Sequence, residues 1–196
     1  MNLIDECKFL KEGWTYEEGH ILPDESTCRM IHTILKLTRS KNIFEIGFNY
    51  GHSAYTFLNI NPSLNYHSVD IGQYEHTLVN AEKLKEMYPD RFQFTHMSSH
   101  DIDPASLSEY DMIFVDGDHR TDGMSRDLNL SNAAKPKYIL IDDYVGCMSA
   151  SLGIYPKRLI HHFLSKPDFT YNKINEFTYP ASDRMNHMVL LQREDL

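Results

Sequence analysis

Five short apolar runs punctuate the chain: NIFEI (42–46), NYHSVDI (65–71), RFQFTHM (91–97), YDMIFV (110–115) and KYILI (137–141). Each is rich in β-branched and aromatic residues and bounded by polar turns, a pattern that predicts strands covered on both faces. The segments between them have helical spacing. HSAYTFLNI follows Gly51. YEHTLVNAEKLKEMY sets Leu78, Ala81, Leu84 and Lys85 on one stripe and stops at Pro89, and TDGMSRDLNLSNAA joins the fourth and fifth runs. Strand and helix alternating at this pitch predict βαβ units. The expected class is α/β, with a doubly wound, mostly parallel sheet carrying helices on both faces.

The two ends extend this plan. Residues 24–39 place Met30, Ile31, Ile34, Leu35 and Thr38 on one stripe behind an acidic or hydroxyl cap, which predicts a helix packed on the sheet. Beyond residue 153, IYPKRLIHHFLSK reads as a helix. FTYNKINEF and NHMVLLQ, separated by Pro180–Asp183, read as an antiparallel pair at the far edge of the sheet. The predicted organisation is one domain over 1–196: an N-terminal helical cap (1–40), a core (41–145), and a C-terminal helix with an antiparallel edge (146–196).

Composition agrees and excludes some classes. With 196 residues, 41% hydrophobic and 24% charged, the chain suits one globular domain. No apolar run approaches the roughly 20 residues of a membrane span, and MNLIDECKFLKEG lacks the plan of a signal peptide, so no membrane partner and a cytoplasmic location are expected. Three separated cysteines (Cys7, Cys28, Cys147) suit reduced thiols. A net charge of −9 repels a phosphate backbone, so no nucleic-acid partner is expected. KPK (135–137) and PKR (156–158) read as solvated surface, as do Arg126, Asp127, His161 and His162.

Chemistry concentrates at the ends of the apolar runs. The first run ends in FEIGFNYGHSAY, where Gly47 and Gly51 bracket a strand-to-helix turn spaced G-x-x-x-G. A dinucleotide fingerprint is spaced G-x-G-x-x-G, so NAD is disfavoured. The second run ends in Asp70, placed to accept ribose hydroxyls, and the third is followed by Ser98, Ser99, His100 and Asp101, short polar groups suited to a base edge. The expected ligand is a nucleoside without a long phosphate chain. The fourth run ends in Asp116, Gly117, Asp118 and His119, and the fifth in Asp142 and Asp143. If those strands are neighbours, Asp116, Asp142 and Asp143 fall within reach of one point. Three carboxylates with water suit a hard divalent cation such as Mg²⁺, Mn²⁺ or Ca²⁺. Asp118 has two readings: it caps the following helix or acts as a general base.

FEIGFNYGHSA followed by VDI resembles the S-adenosylmethionine site of class I methyltransferases. It is especially similar to the catechol and caffeoyl-CoA O-methyltransferase group, and the likeness runs through residues 40–145. It implies a Rossmann-like methyltransferase fold and S-adenosylmethionine as cofactor. By this likeness Gly47, Asn49, Gly51 and Ser53 hold the methionine portion, Asp70 the ribose, and Ser99 and His100 the adenine. Glu45 supports the turn, and Ile71 and Asp116 complete the cofactor set. The DGDH and DDY tips are similar to metal-dependent enzymes that methylate sugar hydroxyls, implying Asp116, Asp142 and Asp143 as ligands of a divalent cation, Mg²⁺ foremost. Where catechol-type enzymes carry a lysine this chain has His119, which leaves the base open between Asp118 and His119.

The expected activity is methyl transfer to a hydroxyl of a small molecule: a sugar, a catechol-like compound or another natural product. The competing readings are a non-catalytic nucleoside binder, a nucleic-acid methyltransferase on the same sheet, and a metal hydrolase. The acceptor side is left to residues 1–25, the 144–156 loop or a neighbouring subunit of a homodimer, with Trp14, Tyr16 and Tyr144 as candidate walls.

Overall fold

The computed structural model describes residues 24–145, 156–181 and 184–195. In chain order these form α1 (Glu25–Thr38), β1 (Asn42–Ile46), α2 (His52–Ile60), β2 (Asn65–Asp70), α3 (Glu75–Met87), β3 (Phe92–His96), β4 (Met112–Val115), α4 (Thr121–Ala134), β5 (Tyr138–Ile141), α5 (Pro156–Leu164), β6 (Tyr171–Ala181) and β7 (Arg184–Arg193). Two short 3-10 turns, Ser99–Asp101 and Pro104–Leu107, connect β3 to β4.

The strands make one sheet of order β3-β2-β1-β4-β5-β7-β6. β1 pairs in parallel with both β2 and β4, and the parallel ladder continues to β3 on one side and β5 on the other. The C-terminal pair is antiparallel, as the sequence predicts, but the reversed strand is not the outermost. β7 inserts between β5 and β6, so the true edge, β6, runs with the parallel five. A hairpin makes this arrangement natural, because its second strand can return along β5 while the first stays outside.

Alternation along each strand divides the core in two. Ile43, Met112, Phe114, Leu140 and Leu190 face one side with α1, α2 and α3. Phe44, Ile46, Ile113, Val115 and Ile139 face the other with α4 and α5. Asp24 caps α1, its Oδ1 accepting the Thr27 amide at 2.7 Å, so the predicted acidic cap is present.

Three expectations change. On α3 the buried stripe is Thr77, Asn80, Ala81 and Leu84, while Leu78 is exposed. Asn80 donates from Nδ2 to the Tyr50 carbonyl at 3.1 Å, so a polar contact to the turn sets the helix's rotation in place of the weak apolar stripe. Asp127, read as exposed with Arg126, is buried at 2% exposure on α4, beside Met124 and Leu128. Tyr144, named as a candidate wall, is fully buried in the second core. Trp14, Tyr16 and residues 146–155 lie outside the described residues. Among the described residues no helix is long and apolar enough to cross a membrane.

Candidate functional site

Sheet register creates the site. Ile46 pairs with Val69 and Val115, and Val115 pairs with Ile141. The next residues, Gly47, Asp70, Asp116 and Asp142, therefore stand in one row at the carboxyl ends of β1, β2, β4 and β5. β1 leads outward to β2 on one side and β4 on the other, and ligands of open α/β sheets bind in the crevice at such a reversal of strand order.

Gly47 has φ 94°, and a Cβ on it would stand 2.2 Å from the Asp116 carbonyl oxygen. Only glycine lets the two strand tips approach this closely. Asn49 sits in the left-handed region at φ 47°, its Oδ1 2.8 Å from His76 Nε2. The His76 ring stacks on Tyr50, with centroids 3.8 Å apart. Asp70 braces the turn: Oδ2 accepts the Phe48 and Asn49 amides at 2.8 and 3.1 Å, and Oδ1 accepts the Gly72 amide at 2.8 Å. With the Gly47 amide bonded to Val69 and the Gly51 amide to Phe48, four amides of this turn point into the protein and not at a ligand. A carboxylate offers about four acceptor sites. Asp70 therefore keeps about one for an outside hydroxyl, where the sequence suggested both hydroxyls of a ribose.

Glu45 lies beneath this turn, fully buried. It accepts hydroxyl hydrogen bonds from Ser53 on α2, at Oε1, and from Ser68 on β2, at Oε2, the latter 2.6 Å long. Burial pushes its carboxyl up to about 7, against the opposing pull of the two serines. Ser53 is thus tied to Glu45, so its hydroxyl serves the protein's interior before any ligand.

Past β3, Ser99 donates its hydroxyl to Asp127 Oδ1 at 2.7 Å, while His100 is exposed. Burial raises the Asp127 carboxyl to about 6. A Cβ built on Gly117, at the tip of β4, would lie 3.3 Å from Asp127 Oδ2, so the carboxylate stands directly behind that tip. Ile71, just beyond Asp70, is 58% exposed and offers an apolar surface at the mouth.

The acidic tips converge. Burial, and after it the charges of Asp142, Glu45 and Asp143, push Asp116 well above the usual carboxylate range. Asp142 is buried, and Asp143 follows in a left-handed conformation at φ 52°. His119 lies between them: Nε2 is 3.6 Å from Asp116 Oδ1 and Nδ1 is 3.8 Å from Asp143 Oδ2. Asp118 is drawn away. Its Oδ1 accepts the Arg120 amide at 3.0 Å, and the Arg120 guanidinium grips both oxygens, holding the carboxyl below its usual range. Among the described residues no group of three or more His, Cys, Asp or Glu side chains is placed so that it could hold a metal ion.

Three groups escape the sequence reading: Ser68, His76 and Asp127. The first two are single polar residues whose partners lie on other elements. Asp127 had a signal, because it falls on the Gly123, Met124, Leu128, Ser131 stripe of α4.

No curated protein matches this chain in sequence. Solved structures share its fold. An SAH-bound Podospora anserina methyltransferase, PaMTH1, aligns with TM-score 0.69 at 13% identity, covering 97% of this chain and 87% of its own. An O-methyltransferase from Bacillus cereus in complex with SAH aligns with TM-score 0.64 at 13% identity, over 97% and 90%. The N-methyltransferase NodS from Bradyrhizobium japonicum WM9, also with S-adenosyl-L-homocysteine, aligns with TM-score 0.66 at 10% identity, over 98% and 99%. The family described as "Methyltransferase domain" matches residues 44–144, just over half of the chain and the segment holding every residue of the row of strand tips. By that match, this chain belongs to the methyltransferase domain family.

Proposed function

We propose that this protein transfers a methyl group from S-adenosylmethionine to a hydroxyl oxygen of a small molecule. The observation that carries the reading is the meeting of Asp116, Asp142 and His119 at the strand tips, next to the Gly47 turn. Residues along the row fit the nucleoside: Asp70 keeps an acceptor site for a ribose hydroxyl, exposed Ile71 suits the flat apolar face of a base, and Ser99 with Asp127 supplies polar groups behind it. The structural neighbours that hold S-adenosylhomocysteine support the same choice. When bound, S-adenosylmethionine supplies an electrophilic methyl and leaves as the homocysteine thioether.

An alcohol is a weak nucleophile until it loses its proton. His119 accepts that proton, and the flanking carboxylates of Asp116 and Asp143 balance the charge that arrives with it. Asp118 is less suited, because Arg120 engages both its oxygens. Asp116, Asp142 and Asp143 would be the oxygen donors for a hard divalent cation, Mg²⁺ foremost, once they draw closer together around it, and such an ion would lower the acceptor hydroxyl's pKa and fix its direction. Burial first and the neighbouring carboxylates second push Asp116 up, and such an ion would offset the charge of those neighbours.

The test is transfer of radiolabelled methyl to sugars, catechols and natural-product alcohols, with Mg²⁺ and with a chelator. The expected result is labelling of a hydroxyl compound that a chelator stops and Mg²⁺ restores. Labelling confined to amines or nucleic acid would overturn the acceptor class. Labelling indifferent to the chelator would remove the cation from the scheme.

A further inference from the structure

Asp127 is a buried carboxylate for which the methyl-transfer chemistry has no use. It is 2% exposed, and the one hydrogen-bond partner of its carboxylate among the described residues is the Ser99 hydroxyl at Oδ1. No hydrogen bond from the described residues reaches Oδ2, and no cation contacts it. The nearest positive groups, His100 and Arg126, act only at a distance. A free acceptor on a residue this enclosed is open to a donor that a ligand brings. Oδ2 stands behind Gly117, where a Cβ would approach it to 3.3 Å. It also stands beside Ser99, which follows the tip of β3. The strand tips of β3 and β4 thus flank one uncommitted acceptor.

We infer that Asp127, held in place by Ser99, is a specificity-determining residue that reads the exocyclic amino group of the cofactor's nucleobase. The inference rests on the nucleoside reading above. An amino group is a hydrogen-bond donor and fits a free carboxylate oxygen. A base with a carbonyl at that position presents a lone pair and is repelled. Glycine at 117 fits this role, since a side chain there would crowd Oδ2. Burial, which pushes the Asp127 carboxyl to about 6, leaves it largely ionised and acceptor-only at neutral pH. Sites built to pair with one polar group discriminate strongly against an analogue that lacks it, because the site's own group is left unpaired.

The experiment measures binding of S-adenosylhomocysteine and S-inosylhomocysteine by titration calorimetry at pH 7.5, with the 196-residue wild-type chain and with Asp127→Asn and Ser99→Ala. The two ligands differ by an amino group against a carbonyl. Wild type should prefer the adenine form by about 10- to 100-fold, the range for a hydrogen bond to a charged group. In Asp127→Asn the Ser99 hydroxyl still holds the amide oxygen, which turns the amide NH₂ toward the base. The preference should then fall within about threefold or reverse. Ser99→Ala, which frees the carboxylate to rotate, should lower the ratio by a smaller factor.

Far-UV circular dichroism and melting temperature establish that each variant is folded. Equal binding of both ligands by wild type overturns the inference without recourse to any variant. So does a folded Asp127→Asn or Ser99→Ala protein that keeps the wild-type ratio. Failure of wild type to bind either ligand overturns the nucleoside reading itself, a distinct result.

Discussion

Replacing Glu45 with glutamine isolates the effect of one buried carboxyl. Glu45 is completely enclosed between β1, β2 and α2 and bonded to two serine hydroxyls. Its protonated form needs no counter-charge there, whereas its ionised form has given up water and faces the negative charge of Asp70. Burial therefore lifts the carboxyl from an ordinary 4.5 to about 7. The folded state binds this proton more tightly than the unfolded chain. The contribution to stability is thus complete below pH 4.5 and disappears as pH rises toward 7. At about 1.4 kcal/mol for each tenfold change in proton affinity, the whole effect is about 3 kcal/mol, and about 2.5 kcal/mol of it falls between pH 5 and pH 8. Glutamine copies the protonated acid, with one group to accept from a serine and one to donate, and it does not titrate. Urea unfolding of both proteins at pH 5 and pH 8 cancels every other ionisation. The Glu45→Gln protein should gain about 2.5 kcal/mol on wild type between the two pH values, a sizeable share of a typical domain's stability. A difference that does not change with pH would refute the reasoning, and one that changes with the opposite sign would show that Glu45 is better paired when charged.

Four further outcomes follow from the same geometry. Asp116→Ala should abolish methyl transfer, by about 100-fold or more, while calorimetric affinity for S-adenosylhomocysteine stays within about threefold of wild type. Asp142→Asn should melt higher than wild type at pH 8 yet turn over more slowly, because it removes one of two carboxylates pressed together at the strand tips; a lower melting temperature would show that the pair is held by attraction. His119→Gln should lose far more of kcat than Asp118→Asn, whose carboxylate is already engaged by Arg120, and the reverse order in steady-state assays would move the base to Asp118. Gly47→Ala should lower stability by at least about 2 kcal/mol in denaturant titration, since its methyl would meet the Asp116 carbonyl from a backbone at φ 94°.

Much of this protein was legible in order along the chain. Apolar runs bounded by polar turns located five parallel strands within one or two residues, because a strand covered on both faces leaves a contiguous signal. The same runs located the acidic tips, since a strand must stop where carboxylates accumulate. Period and polarity are local properties, and the sequence carries them whatever the partners are. Three things depended on register and packing. Asp116 meets Asp142 because Val115 pairs with Ile141, a fact of the β4–β5 ladder that neither run contains. Asp70 turned out to brace the Gly47 turn, because its distance from the Phe48 and Asn49 amides is set by the β1–β2 pairing. Asp127 was read as surface because charge suggests solvent. The α4 stripe carries it inside, to a serine 28 positions earlier. Sequence determined which groups stand at the strand ends. Tertiary structure decided which are spent holding the protein together and which are left with an open valence for a ligand, because a hydrogen bond is settled by distance in space and not along the chain.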